Sequence, residues 1–266
     1  MRTGGQKILR IFGPFAVYYL VYNAAFVLLF FLLKGVAGLA GGEWSQRLET
    51  QQAAVTGILG GLSMLVGILP LGKSLREELA QNASETDRRS LPDGLLTVAA
   101  GFTSSVGLNI LFSLSGAAQQ SESYQSVAKD QYAVPLLVGI LLYGIVSPLA
   151  EEVVFRGILF NRMRKDFPPG MAILLSGVLF GLYHGNMVQG IYGMLMGVLM
   201  AYLYERMGRF EIPCLFHMTA NLTVYLTAQA SGLHERLFTA PVAAGLLLVT
   251  AGVLALVGRR SREQKK

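Results

Sequence analysis

Charge is what this sequence has least of. Asp, Glu, Lys and Arg make up 14% of its 266 residues, against 53% hydrophobic residues, and the mean hydropathy is +0.49. Soluble globular domains carry about 25% charged residues. The deficit excludes a soluble enzyme, whose surface these residues could not cover. With several long apolar runs, it places the chain among polytopic membrane proteins. Cysteine is almost missing: Cys214 stands alone, which excludes an intramolecular disulfide and a cysteine-based metal site. Histidine is scarce as well, with only His184, His217 and His234. No internal repeat or low-complexity tract is visible. The net charge of +6 is not a nucleic-acid signal, because the placement of the cations explains it.

A bilayer core takes about 20 apolar residues per helix. Eight stretches qualify: 11–33, 54–72, 94–117, 133–150, 170–186, 187–204, 211–229 and 239–257. The predicted fold is therefore all-α, with about eight transmembrane helices and a polar catalytic cavity in the second half. Lysine and arginine near helix ends favour the cytoplasm. With the N-terminus inside, the outer segments hold only Lys34, Arg47, Lys129 and Arg236, and the other 18 cations fall inside. Both termini are thus expected in the cytoplasm of a cell-membrane protein. The first span exceeds the 7–15-residue apolar core of a signal peptide and is kept as a helix. The stretch 72–93 reads as a solvated linker with a short helix. Residues 185 and 186, Gly-Asn, are a plausible turn between the fifth and sixth spans. Glycines recur at four-residue spacing (Gly177, Gly181, Gly185; Gly193, Gly197), which lets membrane helices approach closely.

Against this apolar background the stretch 151–157 (Glu-Glu-Val-Val-Phe-Arg-Gly) is the anomaly. A charge at membrane depth costs roughly 2.5–3.5 kcal/mol or more, and such groups are functional by default. Adjacent helical residues point apart, whereas i, i+4 residues share a face. Glu152 is therefore expected to be held by Arg156, leaving Glu151 free for chemistry. The bland reading is a charge cluster at the cytoplasmic rim. His184 is expected near the outer end of the fifth span. His217 and Asn221, also i, i+4, share a face of the seventh. A lone histidine on an apolar face is more often a satisfied core residue. Here two histidines, a glutamate pair and an asparagine fall in three consecutive apolar blocks.

A carboxylate and an imidazole around one water make a general base. An imidazole with a carboxamide can donate to an oxygen that gains negative charge. Glu151 with His184, facing His217 with Asn221, would supply both halves of amide hydrolysis. Cys214 lies three residues before His217, but a buried cysteine is ordinarily an inert small hydrophobe. Two histidines and a glutamate also form a catalytic zinc set, so Glu151, His184 and His217 are the alternative metal ligands, with Zn2+ as the alternative cofactor. The H-E-x-x-H motif that would make zinc specific is absent.

Three motifs, E-E-x-x-x-R-G at 151–157, F-x-x-x-H at 180–184 and H-x-x-x-N at 217–221, together resemble the CPBP family. These are intramembrane glutamic endopeptidases that include CAAX prenyl proteases and bacteriocin-processing or immunity (Abi) proteins. The resemblance covers roughly 133–225, between an N-terminal helical region (1–132) and a last helix with a basic tail (226–266). It implies an eight-helix fold and an endopeptidase. It implies that Glu151 is the base acting with His184 on water, that His217 and Asn221 stabilise the oxyanion, and that Glu152, Arg156 and Phe180 give support. It implies a peptide or protein substrate, lipidated or not, met within the lipid bilayer, and no nucleic acid. Members have been described both as metalloproteases and as metal-independent, and the metal-independent form is expected here. The competing classes are a non-catalytic immunity or scaffold protein and a proton-relay transporter. The latter should carry polar clusters in both halves, and the first half offers none.

Overall fold

A computed structural model describes residues 3–82, 91–230 and 238–263, and among these every regular element is helical. Helices occupy all eight expected positions. They are α1 (Gly4–Ala40), α3 (Gln52–Ile68), α5 (Leu91–Leu114), α8 (Leu136–Arg164), α9 (Pro169–Tyr183), α10 (Met187–Met207), α11 (Glu211–Gln229) and α12 (Ala240–Glu263). Short helices α2 (Gly42–Thr50), α4 (Gly72–Asn82), α6 (Ala117–Gln120) and α7 (Glu122–Tyr132) lie between them. Six helical stretches are long and apolar enough to cross a membrane: α1, α3 running on into α4, α5, α8, α10 and α12. Apolar α9 has only 15 residues.

Polarity inside these helices is satisfied locally. Thr103 and Ser104, which interrupt the third apolar run, donate to the carbonyls of Ala99 and Ala100 four residues back. Thr103 also meets Thr250 of α12 at 2.7 Å. The hydroxyls therefore join α5 to α12 instead of breaking the helix.

Three expectations need correction. The fourth span does not end at residue 150. Helix α8 continues to Arg164, and about 1.5 Å per residue makes it roughly 43 Å long. Glu151 is therefore near its middle, not at a cytoplasmic end, and Arg156 is a fully buried residue instead of a loop cation. The stretch that begins at Gly72 is not a solvated linker over its helical part. Glu78 of α4 is buried and takes Arg162 at 3.0 Å and Lys165 at 2.6 Å. The rest of that stretch, and His234, lie outside the described residues.

The glycine spacing does what close packing requires. A Cβ on Gly181 would collide with the Gly190 carbonyl, and one on Gly177 would sit 2.9 Å from the Met194 carbonyl. Helices α9 and α10 thus touch backbone to backbone. Gly185 makes the turn between them at φ +72, a left-handed conformation that glycine adopts freely. Asn186 then caps α10 by accepting from the Gln189 N–H at 2.9 Å.

Candidate active site

The glutamate pair sits where α8 departs from regular α geometry. Residues Leu142–Val146 and Val153–Phe160 are π-helical, on either side of Ser147–Glu152. Such widened turns are often found at functional sites. Pro148 contributes one cause, because it has no N–H for the upstream ladder. A carbonyl in that weakened stretch, Tyr143, accepts from Asn221 Nδ2 at 3.1 Å. Helix α11 runs antiparallel to α8 and is fastened along one face: His217 to Glu152, Asn221 to Tyr143, and Tyr225 to the Val134 carbonyl at 3.0 Å. The i, i+4 periodicity of α11 places all three on that face.

Glu152 and Arg156 form a fully buried pair, Oε1 to Nη1 at 2.8 Å. Arg156 also donates to the Gly197 carbonyl at 3.0 Å and lies 4.6 Å above the Phe180 ring centroid. A Cβ on Gly197 would lie 2.9 Å from Gly177 Cα and 3.2 Å from Arg156 Nη2, so glycine there lets α9 approach α10 and leaves room for the guanidinium. The same Glu152 Oε1 accepts from His217 Nδ1 at 2.8 Å. Since a carboxylate only accepts, Nδ1 must carry the proton, and Nε2 faces the other way. It faces Glu151, whose Oε2 is 3.8 Å off. Glu151 Oε1 is taken by the Ser147 hydroxyl at 2.8 Å. The result is a buried, bonded run Arg156–Glu152–His217 facing the bonded pair Glu151–Ser147 across a 3.8 Å gap. Glu151 opens into a cavity of about 390 Å³ together with His184, His217, Asn221, Phe180 and Ser147.

The expected residues are thus gathered in one place, with altered neighbours. Glu151 has His217, not His184, as its nearest imidazole contact. His184 Nδ1 hydrogen-bonds the Phe180 carbonyl at 2.8 Å, so it too presents Nε2 outward. Phe180 is the hub: its ring packs edge-on to His184 at 4.8 Å and His217 at 5.4 Å while carrying Arg156 on its face. Gly193 leaves space for the His184 ring, 3.3 Å from where a Cβ would be. Three participants were missed from sequence: Ser147, Tyr143 and Tyr192, whose buried hydroxyl has no hydrogen-bond partner on the cavity wall. Ser147 alone had a signal, its i−4 spacing to Glu151 on one helix face. Cys214 is buried and does not line the cavity. Among the described residues, no three His, Cys, Asp or Glu side chains are grouped closely enough to form a ready metal-ligand set.

Residues 133–223 match the family model described as "Type II CAAX prenyl endopeptidase Rce1-like". The match supports a core like that of the CPBP/CAAX proteases. Among curated proteins, the "Putative membrane peptidase YdiL" of Bacillus subtilis (strain 168) is 26% identical over 194 residues, 71% of this chain and 78% of that protein. No solved structure matches the chain with comparable strength. Together with the apolar helices, these findings support a multi-pass membrane protein similar to membrane peptidases.

Proposed function

We propose that this protein is an intramembrane endopeptidase that hydrolyses a peptide bond with water activated between Glu151 and His217. The observation that carries the reading is the buried chain Arg156–Glu152–His217, which fixes one imidazole tautomer and aims Nε2 at Glu151 across 3.8 Å. Both Glu151 Oε2 and His217 Nε2 are acceptors in that arrangement, and a water between them can donate one proton to each. The water oxygen then attacks the peptide carbonyl carbon as Glu151 takes the proton. The tetrahedral oxyanion faces Asn221, which spends one amide N–H on Tyr143 and has the other to offer. His184 Nε2, once protonated, is a second donor. Transfer of the proton from Glu151 to the amide nitrogen breaks the C–N bond and releases the amine, and the new carboxylic acid gives its remaining proton to His217 Nε2 to leave as a carboxylate.

The roles differ from the simplest expectation, in which His184 partnered Glu151. The 3.8 Å approach supports His217 as the partner for the water, and His184, packed on the same Phe180 ring, is assigned the second donor role. The test is cleavage of a mixed peptide library by the purified protein, read by mass spectrometry, with and without a chelator. Internal cleavage that survives chelation, is lost in Glu151→Gln and is weakened in His217→Gln supports the proposal. Loss under chelator with recovery on adding zinc would transfer Glu151, His184 and His217 to a metal and refute the water mechanism.

A further inference from the structure

The two ends of the helical bundle differ in kind. At one end α5 begins, α8 and α10 finish and α12 finishes, and there many cations gather, several of them held in ion pairs. Arg162 and Lys165 hold Glu78, Arg164 holds Glu205 at 2.7 Å, and Arg209 and Arg260 share Asp93. Arg10 of α1 joins the same rim through Asp166. At the other end the described cations are only Lys34, Arg47 and Lys129.

The cavity reaches from Glu151 toward that second end. Its walls are the end of α5 (Ser113), helix α7 (Gln131), the start of α10 (Gln189) and the end of α11 (Thr227). Among the described residues, no lysine or arginine lines it. Its described walls therefore offer no cation to a free C-terminal carboxylate, and they suit an internal, uncharged stretch of peptide.

We infer that the catalytic cavity is entered from the extracytoplasmic side, past α7, and that the substrate is a peptide segment presented there: an exported peptide or an outward-facing juxtamembrane stretch. Cations accumulate on the cytoplasmic side of membrane proteins, which turns the ion-paired rim inward and the mouth outward. This inference rests on the peptidase reading for its substrate, but not for its direction.

The direction is tested on the full-length protein in intact cells with a membrane-impermeant maleimide. Gln131→Cys, and Ser113→Cys as a second mouth position, are expected to label. Lys73→Cys at the opposite rim is expected to label only after permeabilisation, and wild type, whose one cysteine is buried, stays unlabelled. Right-side-out vesicles should cleave an added membrane-impermeant peptide and lose that activity once Gln131→Cys is labelled. Inverted vesicles should not cleave it. Labelling of Lys73→Cys in intact cells, or cleavage by inverted vesicles alone, overturns the inference and leaves the peptidase reading standing. Absence of cleavage in every preparation, detergent included, defeats the peptidase reading and leaves the labelling to decide the direction.

Discussion

Arg156→Met is the substitution that most sharply separates structure from chemistry in this protein. It replaces a fully buried guanidinium by an apolar side chain that also fits the channel beside Gly197. What it leaves behind is a buried carboxylate, Glu152, with His217 as its remaining partner. Removing one partner of a buried ion pair costs about 3–5 kcal/mol. The Gly197 carbonyl also loses the guanidinium, but it lies inside helix α10 and keeps its intrahelical partner, so that loss adds little. At roughly 2–4 °C per kcal/mol for a chain of this size, the ion-pair loss alone lowers the melting midpoint by roughly 6–20 °C. The assay is built in: Cys214 is buried and alone, so a thiol-reactive fluorophore reports unfolding in detergent. The double variant Arg156→Met with Glu152→Gln removes the stranded charge and should regain more than half of the lost stability. If the single variant melts within about 2 °C of wild type, or the double variant is no better than the single, Glu152 and Arg156 do not act as a buried ion pair and the reasoning fails.

Asn221→Ala should lower kcat by about 10²–10³ with KM little changed, the signature of a donor used at the oxyanion; an equal rise in KM instead would make Asn221 a substrate-binding group. Tyr192→Phe removes a buried cavity-wall hydroxyl that no described protein group bonds, so it should raise KM and leave the melting midpoint unchanged. Gly197→Ala places a methyl 2.9 Å from Gly177 Cα and 3.2 Å from Arg156, and overpacking of that kind should destabilise by about 1–3 kcal/mol in a thermal melt.

The architecture was legible because membrane helices announce themselves by length and hydropathy, and each expected apolar run has its helix. The end of α8 was not. Ser147, Pro148, Glu151, Glu152 and Arg156 dilute hydropathy until the run looks finished, although Arg156 neutralises Glu152 inside the bundle and the helix goes on to Arg164. The same error put Glu151 and His184 at opposite membrane faces. The i, i+4 rule read Glu152 with Arg156 correctly, since both lie on one helix. It could not read His217 with Glu152, which depends on how α11 is laid against α8. Nor could it separate the two histidines as partners of Glu151, because that choice is made by tertiary packing around Phe180.

The central claim is that the Glu151 carboxylate activates water. It is tested most directly by comparing wild type with Glu151→Gln in the same detergent on a peptide that wild type cleaves. Glutamine keeps the oxygen that accepts from Ser147, so the melting midpoint should hold. Loss of the general base should cut kcat by about 10²–10⁴. A folded Glu151→Gln protein that cleaves within a few-fold of wild type would contradict the account.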